Sequence, residues 1–456
     1  MPTAFRFTVV HTVDPPVVDI GRGRMVRGQW LARSATLQYL GGVVFAVLLP
    51  WIARVAVEPE QANLASQYNA GIGTLAALTF GQMFLRSLTN FPGIRGANYV
   101  IPTFAISYGS ALVVFLFLRL DYGRLQFISS FVLCIVWYVA VLRWRHQRVT
   151  LKIGIVPGGE AHGLQAIDSV AWTTLRVPNV GRERFDGIVA DLRADLSDEW
   201  DRFLTESALS GIPVYHVKQI RESLTGRVEI EHLSENNFGS LIPGLAYVTI
   251  KFVTDFVAAL IAAVVMAPVM LIAAVLIKLD SPGPVLFRQQ RMGYRGQPFT
   301  VIKFRTMSDL RHAPPRADED RPSNSGVEGD IHSAITRVGD DRITRVGRFL
   351  RRTRIDELPQ IYNILRGEMS WIGPRPEALV LSRWYERELP FYRYRHIVRP
   401  GISGWAQVNQ GHVAEVDDVL WKLHFDFYYI KYFTPWLDLL IVFRTLNTVF
   451  TGFGAR

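Results

Sequence analysis

Four apolar runs follow one another along the first third of the chain, at about 36–53, 69–85, 98–118 and 125–142. Each is close to the roughly 17–25 residues that a bilayer-spanning helix needs. The second is the weakest, because Asn69, Thr74, Thr79 and Gln82 interrupt it. Arg6, Arg22, Arg24, Arg27 and Arg33 precede the first run, Arg86 and Arg95 follow the second, and Arg143, Arg145, Arg148 and Lys152 follow the fourth; the other two connections are poorer in cations. By the positive-inside rule, both ends of such a four-helix domain face the cytoplasm. The pattern then changes. Short strand-like runs at Leu151–Val156, Gly187–Leu192 and Ile212–Val217, separated by polar helical stretches, predict a small Rossmann-like sheet. A fifth apolar run, 252–279, is long enough to cross a bilayer, but crossing would carry the arginine-rich remainder of the chain out of the cytoplasm. Pro268 near its middle removes a helix hydrogen bond, so a helix that enters, kinks and returns to the same face is predicted, the alternative being an ordinary kinked transmembrane helix. Residues 309–334 are charged and proline-rich and read as a loop, and the aromatics of Phe425–Trp436 suit headgroup depth.

Composition narrows the partners. The 456 residues exceed one ordinary domain, 49% of them are hydrophobic, and the net charge of +10 calls for an anionic partner: nucleic acid, anionic lipid or a nucleotide diphosphate. Membrane segments favour the last two. A single cysteine, Cys134, excludes an internal disulfide and a multi-cysteine metal site and reads as a small buried hydrophobe. The first 33 residues are polar and carry prolines and arginines, so no cleavable signal peptide is expected there. After the first strand, Pro157-Gly158-Gly159-Glu160-Ala161-His162-Gly163 resembles a dinucleotide loop superficially. Against G-x-G-x-x-G only Gly159 fits, which favours a structural or regulatory role.

The chemistry concentrates around Asp356 and Glu357, adjacent carboxylates in one of the most arginine-rich stretches of the chain. Among so many cations both are expected to have depressed pKa values, to attack phosphorus or hold a hard metal ion, while the arginines neutralise a phosphate ester. On a helix, neighbours point about 100° apart, so the two cannot share a proton and must do different work. Read alone, the pair is more simply a solvated helix start. Its surroundings argue otherwise: Lys303-Phe304-Arg305-Thr306-Met307 after a strand, a helix face of Arg345, Arg348 and Arg352, and the rigid Gly373-Pro374-Arg375-Pro376 turn, suited to two-point phosphate recognition. Beyond these lie the loop Arg399–Asn409, including Gln407, and Asp426 and Asp438 among aromatics. His396 and His424 lack a third ligand at metal-site spacing.

Six ordered motifs, Lys303-Phe-Arg-Thr-Met, Asp341-Arg-Ile-Thr-Arg-Val-Gly, Asp356-Glu-Leu-Pro-Gln, Asn363-Ile-Leu-Arg-Gly-Glu-Met-Ser, Gly373-Pro-Arg-Pro and Gly401-Ile-Ser-Gly-Trp-Ala-Gln-Val-Asn, closely resemble the bacterial sugar transferases, the monotopic phosphoglycosyl transferases. The resemblance is strong over about 250–456, and the N-terminal layout resembles the long members that initiate exopolysaccharide, capsule or O-antigen synthesis. It implies a membrane protein of α plus α/β class. A cytoplasmic tail (1–34) and four transmembrane helices (35–145) are followed by a degenerate Rossmann-like module (146–248) and a mainly helical catalytic domain (249–456) with a re-entrant helix at 252–279 that breaks at Pro268. Where many members have Ser before that proline, this chain has Ala267.

The family mechanism makes Asp356 the nucleophile toward the β-phosphate of a UDP-sugar, releasing UMP, with Glu357 and Asp356 as the Mg2+ ligands. Lys303, Arg305, Arg354, Pro374, Arg375, Pro376, Gln407 and Asp426 are implied as substrate-binding. Undecaprenyl phosphate is the implied acceptor, and the implied setting is the bacterial inner membrane with the catalytic domain on its cytoplasmic face, without nucleic acid. UDP-glucose or UDP-galactose is the expected donor. A UDP-N-acetylamino sugar, a non-catalytic membrane scaffold and a nicotinamide-dependent enzyme of the 150–245 module stand as alternatives. Oligomeric state and the uridine-binding residues stay open.

Overall fold

The computed structural model describes residues 34–57, 65–89, 96–148, 152–167, 170–179, 185–230, 245–308, 342–410 and 416–451. The N-terminal arginines, Arg95, Asp341 and the 309–334 loop lie outside the described residues. The chain forms two compact units, the first ending at Gly226 and the second beginning at Arg227.

In the first unit, α1 (Ala35–Val57), α2 (Ala65–Thr89), α3 (Gly96–Phe117) and α4 (Arg124–Arg148) pack around Val47, Leu78, Leu85, Phe104, Tyr108 and Tyr138. Small residues admit large ones: a Cβ on Gly81 would lie 2.5 Å from the Phe104 ring, and one on Gly73 would lie 2.2 Å from Phe115. Among the described residues, α1, α3, the Arg124–Trp144 part of α4 and one helix of the second unit are long and apolar enough to cross a membrane. The second expected span forms a helix, α2, without meeting that measure. Its polar side chains turn inward instead. Gln82 accepts from the Tyr138 hydroxyl at 2.5 Å and donates to the Ala35 carbonyl at 3.1 Å, while Thr79 meets the Tyr39 hydroxyl at 2.8 Å. Such hydrogen bonds join helices where water is excluded, and they lower the hydropathy of the run that supplies them.

A parallel four-stranded sheet follows, with strand order β2–β1–β3–β4: β1 (Lys152–Ile155), β2 (Ala171–Thr174), β3 (Gly187–Ala190) and β4 (Val214–His216). Parallel strands are covered on both faces. One face packs Ile153, Ile155 and Val189 against Ile220 and Leu224 of α6 (Val217–Thr225); the other packs Val156 and Ile188 against Phe203 and Leu204 of α5 (Asp198–Leu209).

The second unit opens with Arg227–Ile230. The Val228 N–H donates to the His424 carbonyl at 3.0 Å, and the Arg227 guanidinium lies over Trp421 and Phe425. Then comes α7 (Leu245–Asp280), a single 36-residue helix, about 54 Å at 1.5 Å per residue, with Pro268 inside it. Ile261, Val264 and Leu271 on this helix are more than half exposed, whereas Ala259, Ala273 and Ile277 are buried against the rest of the unit. The antiparallel hairpin β5 (Leu286–Met292) and β6 (Pro298–Phe304) follows, then α8 (Arg345–Thr353), a 3-10 turn (Ile355–Gln360) and α9 (Ile361–Leu365). Strands β7 (Ser370–Ile372) and β8 (Gly401–Ser403) pair in parallel, with α10 (Leu379–Glu388) between them in sequence. Helices α11 (Trp405–Gln410), α12 (Val416–Lys431) and α13 (Pro435–Thr451) close the unit.

Helix α8 is placed by its ends. The Thr344 hydroxyl caps Gly347 N–H at 2.9 Å, and Asp280 accepts from Val346 N–H at 3.3 Å, a carboxylate at a helix N-terminus. At the other end Arg354 adopts a left-handed conformation (φ 59°), which costs a non-glycine residue about 1–2 kcal/mol. A Cβ on Gly347 would lie 2.1 Å from the Thr306 carbonyl oxygen, so α8 and the chain after β6 touch backbone to backbone. Gly347→Ala is therefore expected to cost about 2 kcal/mol and to lower Tm by about 4 °C or more, read by thermal unfolding in detergent.

Candidate active site

Asp356 and Glu357 stand on the 3-10 turn, not on a regular helix. Successive residues there diverge by roughly 120°, which again separates the two carboxylates. Glu357 turns inward and is 7% exposed. Its Oε1 takes Lys303 Nζ at 3.1 Å, Arg375 Nη2 at 3.3 Å and Arg354 Nη1 at 3.7 Å. Three elements thus meet at one carboxylate: β6, the turn after β7, and the junction between α8 and the 3-10 turn.

Burial by itself would raise the Glu357 pKa; Arg375, Lys303 and Arg354 more than offset it and hold the group well below the usual carboxylate range, as expected. Asp356 departs from expectation. Burial, and then the negative charge of Glu357, push its carboxyl up to about 6, and the pull of Lys303, Arg354 and Arg351 is too small to reverse this. Asp356 Oδ1 is also buried without a hydrogen-bond partner in the protein. A buried unsatisfied carboxylate oxygen is costly, so this one marks a place where a ligand atom is wanted. The cations tell the same story in reverse. Lys303 is pushed down to about 8 by burial and by Arg375, and Arg291 down to about 10 by burial and by Arg375. Asp356 and Glu357 lie among four cations, the enclosed Lys303, Arg291 and Arg375 and the more exposed Arg354, an excess of positive charge that suits an anionic ligand.

The turn carrying Arg375 is held by buried charges acting on its backbone. Arg291 donates to the Pro376 carbonyl, and Arg395 donates to the Arg375 carbonyl at 2.9 Å. The Pro374 carbonyl accepts from Gly401 N–H at 3.0 Å. Glu377, held near 2 despite burial by Lys422 and Arg395, pairs with Lys422. Glycine is required at this point of β7 and β8, since a Cβ on Gly373 would lie 2.3 Å from the Arg399 carbonyl. Asn363 ties α9 to β6, accepting from Ile302 N–H at 3.2 Å and donating to the Thr300 carbonyl at 2.8 Å, and so places Lys303.

Of the residues expected to bind substrate, Lys303, Arg354 and Arg375 converge on Glu357, and Pro374 and Pro376 shape the turn. Three others are occupied elsewhere. Arg305 is 8% exposed and donates to the Ser281 and Pro282 carbonyls at 2.7 Å each, closing the end of α7. Asp426, 1% exposed, takes both Nε and Nη2 of Arg395 at 3.1 and 2.8 Å. Gln407 donates to the Ile402 carbonyl at 3.1 Å, and its Oε1 is buried without a partner. Pro268 lies within α7. Arg291 and Arg395 escaped the sequence reading, because each acts on a backbone carbonyl 85 or 20 residues away that no local motif announces. Arg345, Arg348 and Arg352 do form an exposed face of α8.

Among the described residues no cluster of three metal-ligating side chains exists. Mg2+ usually takes one or two carboxylates and completes its shell with substrate phosphates and water. The adjacent Asp356, with its orphaned oxygen, and Glu357, whose three cation contacts all fall on Oε1, fit that donor set.

In the first unit, the would-be dinucleotide loop is filled from within. Gly158 and Gly159 turn with φ of 138° and 52°, and Glu160 N–H donates to Asp191 Oδ2 at 3.0 Å. A Cβ on Gly159 would lie 2.1 Å from that oxygen. The protein's own carboxylate thus occupies the position where a ligand phosphate would meet the N–H groups of this turn.

The family model for bacterial sugar transferases matches residues 246–452. The UDP-N-acetylgalactosamine-undecaprenyl-phosphate N-acetylgalactosaminephosphotransferase of Aeromonas hydrophila is 45% identical over 91% of this chain and 94% of its own length. The UDP-glucose:undecaprenyl-phosphate glucose-1-phosphate transferase of Caulobacter vibrioides is 41% identical over 47% of this chain and 74% of its own. The protein of the same name from Escherichia coli is 39% identical over 45% and 40%.

The Asp356 environment has a thermodynamic consequence. A carboxyl that holds its proton to about pH 6 when folded but 3.8 when unfolded penalises the fold as pH rises between those values, fully so above 6, by about 3 kcal/mol at 1.36 kcal/mol per unit. Asp356→Asn should therefore raise thermal stability at pH 7.5, and most of that gain should vanish at pH 4.5. A destabilised Asn variant at pH 7.5 would show that Asp356 is paired, not orphaned.

Proposed function

The chain belongs to the bacterial sugar transferase family, and we propose that it transfers an N-acetylhexosamine 1-phosphate, N-acetylgalactosamine foremost, from its UDP-sugar to undecaprenyl phosphate. As a polyprenyl-phosphate sugar-1-phosphate transferase it must hold a diphosphate beside a membrane and exchange one phosphoanhydride for another. The observation that carries the reading is Asp356, a half-buried aspartate with one buried, orphaned oxygen beside an excess of cations. The donor follows from the Aeromonas relative, whose similarity runs through both units; the glucose-transferring relatives match only about half of this chain. That similarity moves the preference from an unmodified hexose to the acetylated one. UDP-glucose is the second reading, favoured by the 41% identity to the Caulobacter relative over 47% of this chain.

In the mechanism we infer, ionised Asp356 attacks the β-phosphorus of the donor. An Asp356 Oδ–P bond forms, the bond from that phosphorus to the bridging oxygen breaks, and UMP leaves with the electron pair. An oxygen of the lipid phosphate then attacks the same phosphorus and releases Asp356 as carboxylate. The exchange is near balanced in free energy, so the protein's contribution is positioning and charge neutralisation. Lys303 and Arg375 face the donor diphosphate, with the more exposed Arg354 beside them, while Arg291 and Arg395 hold the Arg375 turn in place. Glu357 keeps the three cations from scattering, and its charge helps to keep Asp356 only weakly acidic. Mg2+ held by Glu357 and Asp356 would supply a further positive charge to the diphosphate.

Both ends of α7 on one membrane face is the topology that best accommodates this unit. Near its start, Lys251 pairs with Asp438 at 2.7 Å and Asp255 accepts from Ser370 at 2.6 Å; near its end, Lys278 donates to the Gly283 carbonyl and Asp280 caps α8. A helix crossing the bilayer would drag one set of these charges to the far side. A re-entrant or interfacial course leaves the lipid the exposed apolar residues of α7, Ile261, Val264 and Leu271 among them, with the catalytic unit at the cytoplasmic face of the inner membrane. The α/β module reads as a Rossmann-like fold that has filled its own phosphate site with Asp191.

Membranes supplied with Mg2+, undecaprenyl phosphate and, separately, the UDP derivatives of N-acetylgalactosamine, N-acetylglucosamine, glucose and galactose should release UMP with the first. Asp356→Asn should lose at least about a thousandfold in rate. UMP with glucose alone selects the second reading, and turnover surviving in the Asn variant sinks the nucleophile. For topology, single cysteines at Ala246 and Pro282, in a chain whose native Cys134 is buried, should label from the same side of sealed vesicles; opposite sides would establish a crossing.

A further inference from the structure

Of the three cations on Glu357, two are enclosed and one is not. The side chains of Lys303 and Arg375 are 17% and 16% exposed and lie 3.1 and 3.3 Å from Oε1. Arg354 is 41% exposed and approaches no nearer than 3.7 Å, beyond hydrogen-bond reach. It also occupies the left-handed position after a helix, where glycine is the usual residue. A half-exposed ion pair at that distance is too weak to account for an arginine held in a strained conformation, so its guanidinium has a use that Glu357 does not reveal.

Its surroundings indicate the use. Ile355, the next residue, and Leu350, one turn earlier, pack with Phe304 against Ala273 and Ile277 of α7. Arg354 therefore sits where the catalytic unit meets the C-terminal half of its apolar helix. It is also one of the cations whose charge reaches Asp356. A cation that is partly free, beside the reacting carboxylate and next to the membrane-facing helix, is suited to a phosphate that arrives on a lipid.

We propose that Arg354 receives the phosphate of the lipid acceptor, a polyprenyl phosphate, turning from Glu357 to present that phosphate to the phosphorus carried on Asp356. This assignment rests on the double-displacement reading above. The guanidinium donates hydrogen bonds to the two non-attacking oxygens; the third forms the new O–P bond as the Asp356 O–P bond breaks, and no proton need leave the arginine.

Binding of undecaprenyl phosphate to Asp356→Asn protein in nanodiscs, which requires no turnover, tests the assignment directly. Adding Arg354→Gly should weaken that binding at least tenfold, and Arg354→Lys should recover part of it. In the otherwise native enzyme, Arg354→Gly should raise the acceptor KM at least tenfold with a much smaller change in donor KM, while Tm rises by about 2 °C or more as the strain is relieved. Unchanged acceptor binding in a glycine variant with higher Tm would reduce Arg354 to a chain turn and overturn the proposal. So would a donor KM that rises as far as the acceptor KM. Failure of the native enzyme to release UMP from donor alone would instead count against the double displacement, leaving the binding result to decide Arg354.

Discussion

The buried carboxylate of Glu357 is the interaction on which the second unit depends. It brings Lys303 from a hairpin, Arg354 from the end of a helix and Arg375 from a proline-bounded turn to a single oxygen. Without that negative charge three cations would repel one another in a poorly solvated space; with it alone, they remain in excess. That excess suits an anionic ligand, and burial beside Glu357 leaves Asp356 an awkward occupant, protonated more readily than an exposed aspartate and with an oxygen left bare. An active site that is stabilised by its substrate is the expected result of such an arrangement.

A second layer of buried charge works on the backbone. Arg291 and Arg395 hold the carbonyls of Pro376 and Arg375, Asp426 holds Arg395, and Lys422 holds Glu377. Proline at 374 and 376 limits the conformations of the turn, and glycine at 373 lets it lie against the strand beyond Arg399. Buried pairs of this kind add little net stability compared with apolar packing, but removing one partner is costly, so they restrict the turn to one geometry. Arg375 is thus set by groups that act on the backbone of its turn.

The long apolar helix α7 joins this chemistry to the membrane. Its alanines and Ile277 pack against the catalytic unit, its larger aliphatic residues face outward, and its ends carry the ion pairs and caps. The candidate site is consequently built on a helix long and apolar enough to cross a membrane, with the cation at the end of α8 close to its C-terminal half. The parallel sheet of the first unit, by contrast, has placed Asp191 in its own glycine turn.

Much of this was legible in the sequence. Hydropathy located the apolar helices, alternation of short apolar runs located the parallel sheet, and the order of motifs from Lys303 to Asn409 marked the stretch that the bacterial sugar transferase family matches, because periodicity and local motif are properties of neighbouring residues. Where residues serve distant partners, sequence could not decide. The hydropathy of α2 is low because Gln82 and Thr79 bond to other helices; Asp426 and Arg305 carry the residue types of a phosphate site but spend them on Arg395 and on the end of α7. Arg291 entered the site unannounced. Above all, a count of nearby arginines predicts that both carboxylates are strongly acidic, whereas burial and the neighbouring charge divide them, Glu357 down and Asp356 up. Local pattern determines which groups the chain owns; only the packing of elements decides how far each is withdrawn from water and which charge it then faces, and those two quantities set its chemistry.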